Sequence, residues 1–542
     1  MASEREQWQS RFGFLAAAIG SAIGLGNIWR FSYVCYDNGG GAFLIPYLVA
    51  LLTAGIPILI LEFALGHRLR GSAPAALRRA GRGWEFLGWW AVVFVMFGIE
   101  LYYTVIIGWC VNYFGFSFTL AWDTQEGTGA FFNSFLQLGK SPWDMGLPVP
   151  AIVVGLAIVW GLNWVITARG VQKGVEVACK VFMPLLFILT LVLVIRGVTL
   201  PGAWNGIAVY LKPDFAKLKE PKVWMDAYGQ IFFSLSVGFG IMIAYASYLP
   251  KDADISTNAV ITGVVNCVYS FVAGFAVFGT LGFMAGKLGK PVTAVVSEGT
   301  TLAFKVYPEA ISQMPGMPQV FGAIFFLTLI VAGLSSSISI IEAFTSAVLD
   351  KFQISRFWTA SALCVIGFFG SLIFAMRGAG LFWLDIVDHF LNSYGLVTVG
   401  VLECVLAAVV FGPKLLRKHI NATSKLKIGV WWDACVCFVS PVILLVMLEV
   451  SIMHELRKPY GGYSESAIRY IGFGWILRTL IIAWVIFSLP WKKEPKPHTA
   501  IEHPDEVWPP NNAKGAVRQH DADTVAPEPK AHDASVPSPD AE

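Results

Sequence analysis

The amino-acid sequence predicts an all-α integral membrane protein with twelve transmembrane helices. Of its 542 residues, 56% are hydrophobic and only 14% are charged, a balance typical of polytopic membrane proteins and not of soluble ones. About twelve apolar runs come close to or exceed the roughly 20 residues that a membrane-spanning helix needs. The runs lie at 12–35, 42–66, 87–117, 150–167, 178–196, 226–249, 258–284, 319–349, 357–375, 382–411, 430–453 and 468–490.

Composition divides the chain into three parts. Residues 1–10 are polar and charged, lack the pattern of a signal peptide, and are expected to form a cytoplasmic N-terminal segment. Residues 11–490 contain all of the apolar runs. Residues 491–542 are rich in Pro, Asp, Ala, Lys and His, and such a segment cannot bury enough apolar surface to offset its ordering entropy. We therefore predict a disordered cytoplasmic tail over 491–542.

The distribution of positive charge predicts the orientation in the membrane. Arginine and lysine residues cluster after the second, fourth and tenth runs, at Arg68, Arg70, Arg78, Arg79, Arg82, Arg169, Lys173, Lys414, Arg417, Lys418, Lys425 and Lys427. By the positive-inside rule these loops and both termini are cytoplasmic. The segment 212–222 carries four lysines on the opposite side, but the rule counts long loops weakly. We expect a multi-pass protein of the plasma membrane, specifically the inner membrane of a bacterium.

The first apolar run is interrupted near its middle. Gly20, Gly24 and Gly26 each weaken a helix by about 1 kcal/mol relative to alanine, and Asn27 and Arg30 follow at a depth where polar groups are costly. Because unpaired backbone groups cannot face lipid, a broken helix at this depth must line a buried polar site. Secondary transporters hold ions and substrate at such breaks.

The sixth run is interrupted in the same way, by Ser234, Ser236, Gly238 and Gly240. Since the two breaks are five spans apart, helices 1–5 and 6–10 would have opposite orientations, and paired breaks of this kind indicate an inverted repeat with its site at the repeat interface. The alternative is that these glycines merely permit close helix packing. Two breaks at matching places favour the inverted repeat over this alternative. The repeats would cover about 11–196 and 226–411, with helices 11 and 12 at about 430–490.

A broken helix offers two kinds of ligand. Carbonyl oxygens freed by the unwinding suit hard cations such as sodium. Free N–H groups at the start of a half-helix suit a carboxylate. One site could therefore hold a cation and a zwitterion together.

Several long motifs resemble the neurotransmitter:sodium symporter family. They are Ala22–Phe31 (AIGLGNIWRF), Asn38–Tyr47 (NGGGAFLIPY), Gly229–Gly240 (GQIFFSLSVGFG) and Ala332–Ser337 (AGLSSS). The resemblance runs in register from residue 1 to about residue 490. It implies a LeuT-like fold, in which twelve helices form an inverted 5+5 repeat with helices 1 and 6 broken.

The resemblance implies two sodium sites. The first would use the Ala22 carbonyl with the side chains of Asn27, Ser234 and Asn266. The second would use the carbonyls of Gly20, Ile23 and Ala332 with the hydroxyls of Ser335 and Ser336. All of these are neutral oxygen ligands, which suit a monovalent ion better than calcium.

The resemblance also implies a substrate site between the two breaks. A substrate carboxylate would bind the N–H groups of Leu25 and Gly26 and the Tyr103 hydroxyl. The amine would bind the carbonyls of Ala22, Phe233 and Ser234 and the Ser236 hydroxyl. The remaining substrate-binding residues would be Ile99, Ile106, Phe239, Ser336 and Ile340.

Gly24 narrows the substrate class. Monoamine transporters of this family carry an aspartate at the matching position, so glycine here favours a substrate that brings its own carboxylate. The apolar side-chain pocket favours a neutral aliphatic or aromatic amino acid. Taurine, glycine and 4-aminobutyrate remain open.

A chloride site is implied by Tyr47, Gln230, Ser234 and Ser270. Chloride-independent bacterial members of the family carry a glutamate at the position of Ser270. Two sodium ions in a low-dielectric site need negative charge nearby, and bound chloride can supply it where that glutamate is absent. The alternative is another intramembrane acid, for which Glu62, Glu100 and Glu403 are the candidates.

The resemblance further implies two gates. The outer gate would pair Arg30 with Asp388 above Phe233, which acts as a lid. The inner gate would pair Arg5 with Asp350, with Trp8 and Tyr248 packed around them.

Together these features predict a secondary active symporter that imports a neutral amino acid by alternating access, with two sodium ions and chloride. Motifs typical of enzymes, such as a Walker loop or a nucleophile elbow, are missing from the sequence. A transport-inactive amino acid sensor and an ion channel are the alternatives from other functional classes. We expect a small amino acid and the lipid bilayer as partners, no nucleic acid, and a monomer or homodimer.

Overall fold

The computed structural model describes residues 6–495, and nearly all of its regular structure is helical. The helices, in chain order, are α1 (Arg11–Ala22), α2 (Leu25–Asp37), α3 (Gly40–Leu69), α4 (Ala73–Ala80), α5 (Trp84–Ser117), α6 (Thr128–Leu136), α7 (Pro150–Thr167), α8 (Val171–Thr199), α9 (Ala203–Leu211), α10 (Pro221–Ser234), α11 (Ile241–Ala246), α12 (Ile255–Leu288), α13 (the consecutive pieces Gly299–Thr301, Leu302–Val306 and Tyr307–Ser312), α14 (Pro318–Phe352), α15 (Arg356–Ala375), α16 (Gly380–Phe411), α17 (Pro413–Thr423), α18 (Val430–Gly462) and α19 (Glu465–Ser488).

The lengths of these helices confirm an all-α membrane protein. Within residues 6–495, ten helices are long and apolar enough to cross a membrane, and the bent pair α1 and α2 makes an eleventh when counted as one span. The sixth predicted span corresponds to α10 and α11, which have 14 and 6 residues and are separated by residues 235–240. A count of twelve spans therefore stays a prediction.

Both predicted helix breaks are present. The axes of α1 and α2 differ by 69°, and Ile23 and Gly24 between them have extended backbone. Between α10 and α11, the φ angles of Ser236, Gly238 and Gly240 are 52°, 79° and 68°. Positive φ is easily adopted only by glycine, so the two glycines stop α10 from continuing as a regular helix.

Burial separates central helices from peripheral ones. In the most apolar 18-residue stretch of each helix, 89% of the residues of α5 and 83% of those of α14 are buried inside the protein. The corresponding value for α8, α18 and α19 is 28%. The peripheral helices expose apolar side chains such as Leu191, Leu445 and Trp484, which suits contact with lipid tails. The central helices surround the two breaks.

The connecting segments hold regular structure that the sequence did not predict. Strand β1 (Met145–Pro148) pairs antiparallel with β2 (Met376–Gly378), so that Met145 lies opposite Gly378 and Pro148 opposite Met376. The helices α6 and α9 and two short 3-10 turns, Phe215–Lys219 and Val292–Ala294, lie in other connections. Following the predicted orientation, we call the end of the bundle at Arg30 the outer end and the end at Trp8 the inner end.

The start of the predicted tail is packed against the inner end. The Trp491 indole donates to Glu85 Oε1 at 2.8 Å, and the Lys492 N–H donates to the Lys351 carbonyl at 3.0 Å. Residues 496–542 of that predicted tail lie outside the described residues.

Candidate functional site

A cavity of about 40 Å³ lies between the two helix breaks. Its lining contains eleven of the twelve predicted substrate-binding residues. The lining residues are Ser21, Ala22, Gly24, Leu25, Gly26, Asn27, Ile99, Tyr103, Phe233, Ser234, Ser236, Phe239, Ile241, Ser336 and Ile340. The twelfth, Ile106, is buried but is not part of the lining. None of the lining side chains carries a charge, so any charge on a bound molecule would meet backbone groups and hydroxyls.

The polar end of the cavity is formed at Gly24. The Leu25 N–H donates to the Tyr103 hydroxyl oxygen at 3.3 Å. A Cβ atom on Gly24 would lie 2.9 Å from that oxygen and 3.1 Å from the Ser336 hydroxyl oxygen. The lining also contains the apolar side chains of Ile99, Phe239, Ile241 and Ile340.

Four buried polar side chains meet beside the first break. The Asn27 amide nitrogen lies 2.9 Å from Ser234 Oγ, 2.8 Å from Asn266 Oδ1 and 2.8 Å from Ser270 Oγ. The Asn266 amide donates to Ser234 Oγ at 2.7 Å. Because one NH₂ group has only two hydrogens, it cannot donate to all three oxygens, and a rotated Asn27 amide would add its own oxygen to the cluster. The three predicted side-chain ligands of the first sodium site are thus brought together.

A second group of oxygens surrounds the Ser336 hydroxyl. Its oxygen lies 3.4 Å from the Gly20 carbonyl, 3.2 Å from Ser21, 3.5 Å from Ile23 and 3.5 Å from Ala332. One hydroxyl hydrogen can serve only one of these acceptors at a time. Oxygens separated by such distances can instead share a hard cation with metal–oxygen distances of about 2.4 Å.

The remaining predicted ligand of that second group is also nearby. The Ser335 hydroxyl donates to the Ala332 carbonyl at 2.9 Å. All five predicted ligands of the second sodium site therefore lie around one position, and the Ser21 carbonyl joins them.

Two buried donors lie next to the first cluster without a hydrogen-bond acceptor. Within residues 6–495, the Tyr47 hydroxyl and both polar atoms of the Gln230 amide have no hydrogen-bond partner. Tyr47 lies beside Cys267 and Ser270. Buried polar groups are nearly always hydrogen-bonded, so donors left without an acceptor are what an anion site requires.

The intramembrane acids do not fill this position. Glu62 Oε1 accepts from the Gly238 N–H at 2.6 Å and lies beside Glu403, and Glu100 accepts from the Ser337 hydroxyl. The Glu62 side chain therefore binds the backbone of the break between α10 and α11. Its position within an apolar run was the signal that could have indicated this role.

Phe233 lies at the outer end of the cavity. The Arg30 guanidinium lies over the Phe233 ring, 5.1 Å from its centroid, and Phe233 lines both the cavity and a vestibule of about 470 Å³ above it. Arg30 and Asp388 form no direct ion pair in the described part of the chain; Asp388 accepts instead from the Tyr102 hydroxyl at 2.5 Å and the Asn392 amide at 2.8 Å.

The vestibule is lined by charged side chains of both signs. They are Arg30, Asp37, Lys222, Asp226 and Glu298. Glu298 lies in the connection before α13, and its partial burial raises its pKa above the usual 4.5, although the nearby Arg30 acts in the opposite direction.

The inner end is closed by several layers of contact. The Trp8 indole donates to the Tyr245 carbonyl at 2.9 Å, and its ring packs edge-on against Phe14, Tyr245 and Tyr248. Asp350 accepts from the Ser72 N–H at 2.8 Å. Arg5, its predicted partner, lies outside the described residues.

An ion pair that the sequence did not predict reinforces this closure. Arg356 binds the Glu342 carboxylate with both terminal nitrogens, at 2.6 and 3.1 Å, and the Tyr248 hydroxyl donates to the same carboxylate at 3.0 Å. Glu6 lies 3.7 Å from Arg356. A glutamate inside an apolar run was the available signal for Glu342.

Comparisons with known proteins place these features in one family. The model of the sodium:neurotransmitter symporter family matches residues 5–134 and 123–493. An uncharacterized sodium-dependent transporter of Methanocaldococcus jannaschii is 47% identical over 471 residues, which cover 87% of this chain and 94% of the relative. A sodium-dependent dopamine transporter of Caenorhabditis elegans is 32% identical over 521 residues, covering 86% and 84%.

Proposed function

We propose that this chain imports a neutral amino acid together with sodium and chloride. The chain belongs to the sodium:neurotransmitter symporter family and is therefore a transporter and not an enzyme. The observation that carries the substrate class is the cavity between the helix breaks. It contains no charged side chain, and its polar end is backbone at Gly24 to Gly26. A zwitterion can bind there because N–H groups at a half-helix start favour its carboxylate, while an amine without a carboxylate would find no acid.

A thermal-shift screen of amino acids tests the substrate class. A ligand that binds only the folded protein raises its stability by mass action, so neutral amino acids should raise the melting temperature in NaCl, and dopamine should not. Taurine, glycine and 4-aminobutyrate belong in the same screen as the smaller alternatives. Stabilisation by an amine that lacks a carboxylate would contradict the proposal.

Gly24 provides a matched pair of variants. We expect Gly24→Ala to weaken amino acid binding at least tenfold, because the added methyl group would press against the Tyr103 and Ser336 hydroxyls. Gly161→Ala is the control, since nothing lies within 4 Å of a Cβ at that position in α7. Equal affinity in the two variants would remove Gly24 from the site.

Two sodium ions are proposed at the two oxygen clusters. Neutral oxygen ligands from Asn27, Asn266 and Ser336 suit sodium, and each cluster has more acceptors around one position than its donors can satisfy. Asn27→Leu and Ser336→Ala should each raise the sodium concentration needed for stabilisation at least tenfold. An unchanged sodium requirement in either variant would remove that cluster from the proposal.

Chloride is proposed between Tyr47, Gln230, Ser234 and Ser270. The unpartnered donors on Tyr47 and Gln230 support it, and so does the observation that Glu62 and Glu100 accept hydrogen bonds from other groups, Gly238 and Ser337. Replacing chloride by gluconate should abolish sodium-driven stabilisation of the wild-type protein, whereas Ser270→Glu should restore it by supplying a fixed negative charge. Equal stabilisation of the wild-type protein in both salts would contradict a chloride site.

Transport by alternating access is proposed over a sensor or a channel. The substrate cavity lies between two separate closures, at Phe233 and at Trp8, and sodium can drive a change between them only by binding one conformation better. Proteoliposomes with an inward sodium gradient should accumulate the amino acid found in the screen. Binding without accumulation would indicate a sensor, and steady current without substrate would indicate a channel.

The orientation with both termini in the cytoplasm is part of the proposal. It follows from the arginine and lysine clusters, which lie in α4 and α17 and at the neighbouring helix ends. Protease protection of a tag at either terminus in sealed right-side-out vesicles tests it.

A further inference from the structure

Glu100 is a buried acid that the proposed mechanism does not use. It lies in α5, directly after the cavity residue Ile99 and three residues before Tyr103, and it is 0% exposed. One carboxyl oxygen accepts from the Ser337 hydroxyl. The other has no hydrogen-bond partner within residues 6–495.

The surroundings of Glu100 are polar but uncharged. The Ser337 hydroxyl, on α14, also accepts from the Asn163 amide of α7 at 2.7 Å. The titratable groups that face the carboxyl group are Tyr103 on its own helix and Cys364 on α15. No lysine, arginine or histidine of the described residues forms an ion pair with it.

An acid in this position cannot keep its negative charge without a partner. Burying an isolated carboxylate costs far more than burying the neutral acid, so such a group binds a cation or a proton. Oxygen ligands for a metal ion are too few here, because only Glu100, Ser337 and Asn163 contribute. A proton needs a single oxygen, and the unpartnered one can carry it.

We propose that the Glu100 carboxyl group is a proton-binding site coupled to the second sodium site. Ser337, its hydrogen-bond partner, directly follows Ser336, whose hydroxyl lies among the carbonyls of Gly20, Ser21 and Ile23. Sodium bound there stabilises a carboxylate at Glu100, so the O–H bond of the acid breaks and the proton leaves to solvent as sodium enters. One positive charge replaces another, and the net charge of the region is unchanged.

The two parts of this inference rest on different premises. The coupling rests on the proposed second sodium site, whereas protonation of Glu100 rests on its own burial and partners. Proton and sodium then oppose each other by linkage, since each lowers the affinity for the other by the same factor. Import would become pH-dependent, and proton release would accompany sodium binding.

Sodium-induced thermal stabilisation of the purified full-length protein between pH 5.5 and 8.5 tests the coupling, with choline chloride keeping the chloride concentration constant. In the wild-type protein, the sodium concentration that gives half of the stabilisation should fall by up to about tenfold for each unit by which the pH rises, over part of this range. Glu100→Gln, which imitates the protonated acid, should behave at every pH like the wild-type protein at low pH, within about twofold. Glu220→Gln, at an exposed acid, should keep the wild-type slope.

A direct proton count gives a second readout. Sodium added to the protein in weak buffer with a pH indicator should release up to about one proton per molecule from the wild-type protein and none from Glu100→Gln. If Glu100→Gln kept the wild-type pH dependence of the sodium requirement and the wild-type proton release, the assignment of the proton site to Glu100 would be overturned, but the sodium sites would not. Loss of sodium stabilisation at every pH in the wild-type protein would overturn the proposed sodium sites and the coupling with them.

Ser337→Ala keeps the inference testable if Glu100→Gln fails to fold. It retains the acid but removes the hydroxyl that donates to its carboxylate, and hydrogen bonds to the ionised form favour that form. The pH range of the sodium-linked slope should therefore move upward by about one unit. An unmoved range would overturn the inference.

Discussion

The two ends of the central cavity are closed in different ways. At the inner end, Trp8 packs against three aromatic rings and a bidentate ion pair joins Glu342 to Arg356. At the outer end, the Phe233 ring, with the Arg30 guanidinium over it, lies between the cavity and a vestibule of about 470 Å³. The inner end is therefore closed by more contacts than the outer end.

The difference shows where energy must be spent during a transport cycle. Opening the inner end requires the segment around Trp8 to leave its aromatic contacts and the Glu342 ion pair to be exposed or broken. Opening the outer end requires Phe233 to move away from the Arg30 guanidinium, but no ion pair between Arg30 and Asp388 has to break within residues 6–495. In the proposed alternating-access cycle, binding of sodium and substrate would have to favour the inward-open form enough to offset the inner contacts.

Trp8→Ala should have the largest effect on this asymmetry. Truncation of a buried tryptophan costs about 3–5 kcal/mol, and here the loss falls on the inward-closed form. Maleimide labelling of Cys179, which is buried in α8 beside Tyr245, should therefore increase strongly. Trp204→Ala is the control, because Trp204 is 71% exposed; equal labelling in the two variants would show that Trp8 does not close the inner end.

Tyr102→Phe should have the next largest effect, at the outer end. The Tyr102 hydroxyl donates to Asp388 at 2.5 Å, and the Asn392 amide is the other donor. A hydrogen bond to a charged group contributes about 1.5–3 kcal/mol, so the free energy of unfolding should fall by about that amount. A change below about 0.5 kcal/mol would mean that Asp388 finds a replacement donor, for which Arg30, whose charge acts on Asp388, is a candidate.

Tyr248→Phe is the matched change at the inner end and should cost less. Its hydroxyl also donates to a carboxylate, but Glu342 keeps both bonds to Arg356 after the change. We expect a loss of about 0.5–1.5 kcal/mol in the free energy of unfolding. If Tyr248→Phe costs more than Tyr102→Phe, the inner end depends on this hydroxyl and not on the ion pair.

The sequence predicted the helices well because the bilayer constrains them strongly. The run at 150–167 coincides with α7 (Pro150–Thr167), and most other long spans agree within four residues, since a spanning helix needs about 20 apolar residues. The exceptions are α8, which begins seven residues before the predicted run at 178–196, and α18, which ends nine residues after the run at 430–453. The helix breaks were equally predictable, because glycine and polar residues within an apolar run leave few other structures.

The parts that escaped prediction depend on contacts between distant residues. The pairing of Met145 with Gly378 joins segments that share no local pattern. The Glu342 ion pair was missed for the same reason. Arg356 follows the end of α14, and from the sequence alone it is an ordinary charged residue between two helices. The Ser21 carbonyl was missed because its role follows from the direction in which α1 ends.

Glu298→Gln should have the smallest effect and acts on the outer vestibule. Burial raises the pKa of the Glu298 carboxyl group above 4.5, and Arg30 only partly opposes this. The folded protein therefore holds this proton more tightly than the unfolded chain, so the stabilising contribution is complete below about pH 4.5 and is lost as the pH rises through the folded-state pKa. Removing the acid should make the variant more stable relative to the wild-type protein as the pH increases from 4 to 7. A difference in melting temperature that stays constant or shrinks over this range would show that Arg30 outweighs burial, and that the vestibule already holds the charge pair that an outer closure needs.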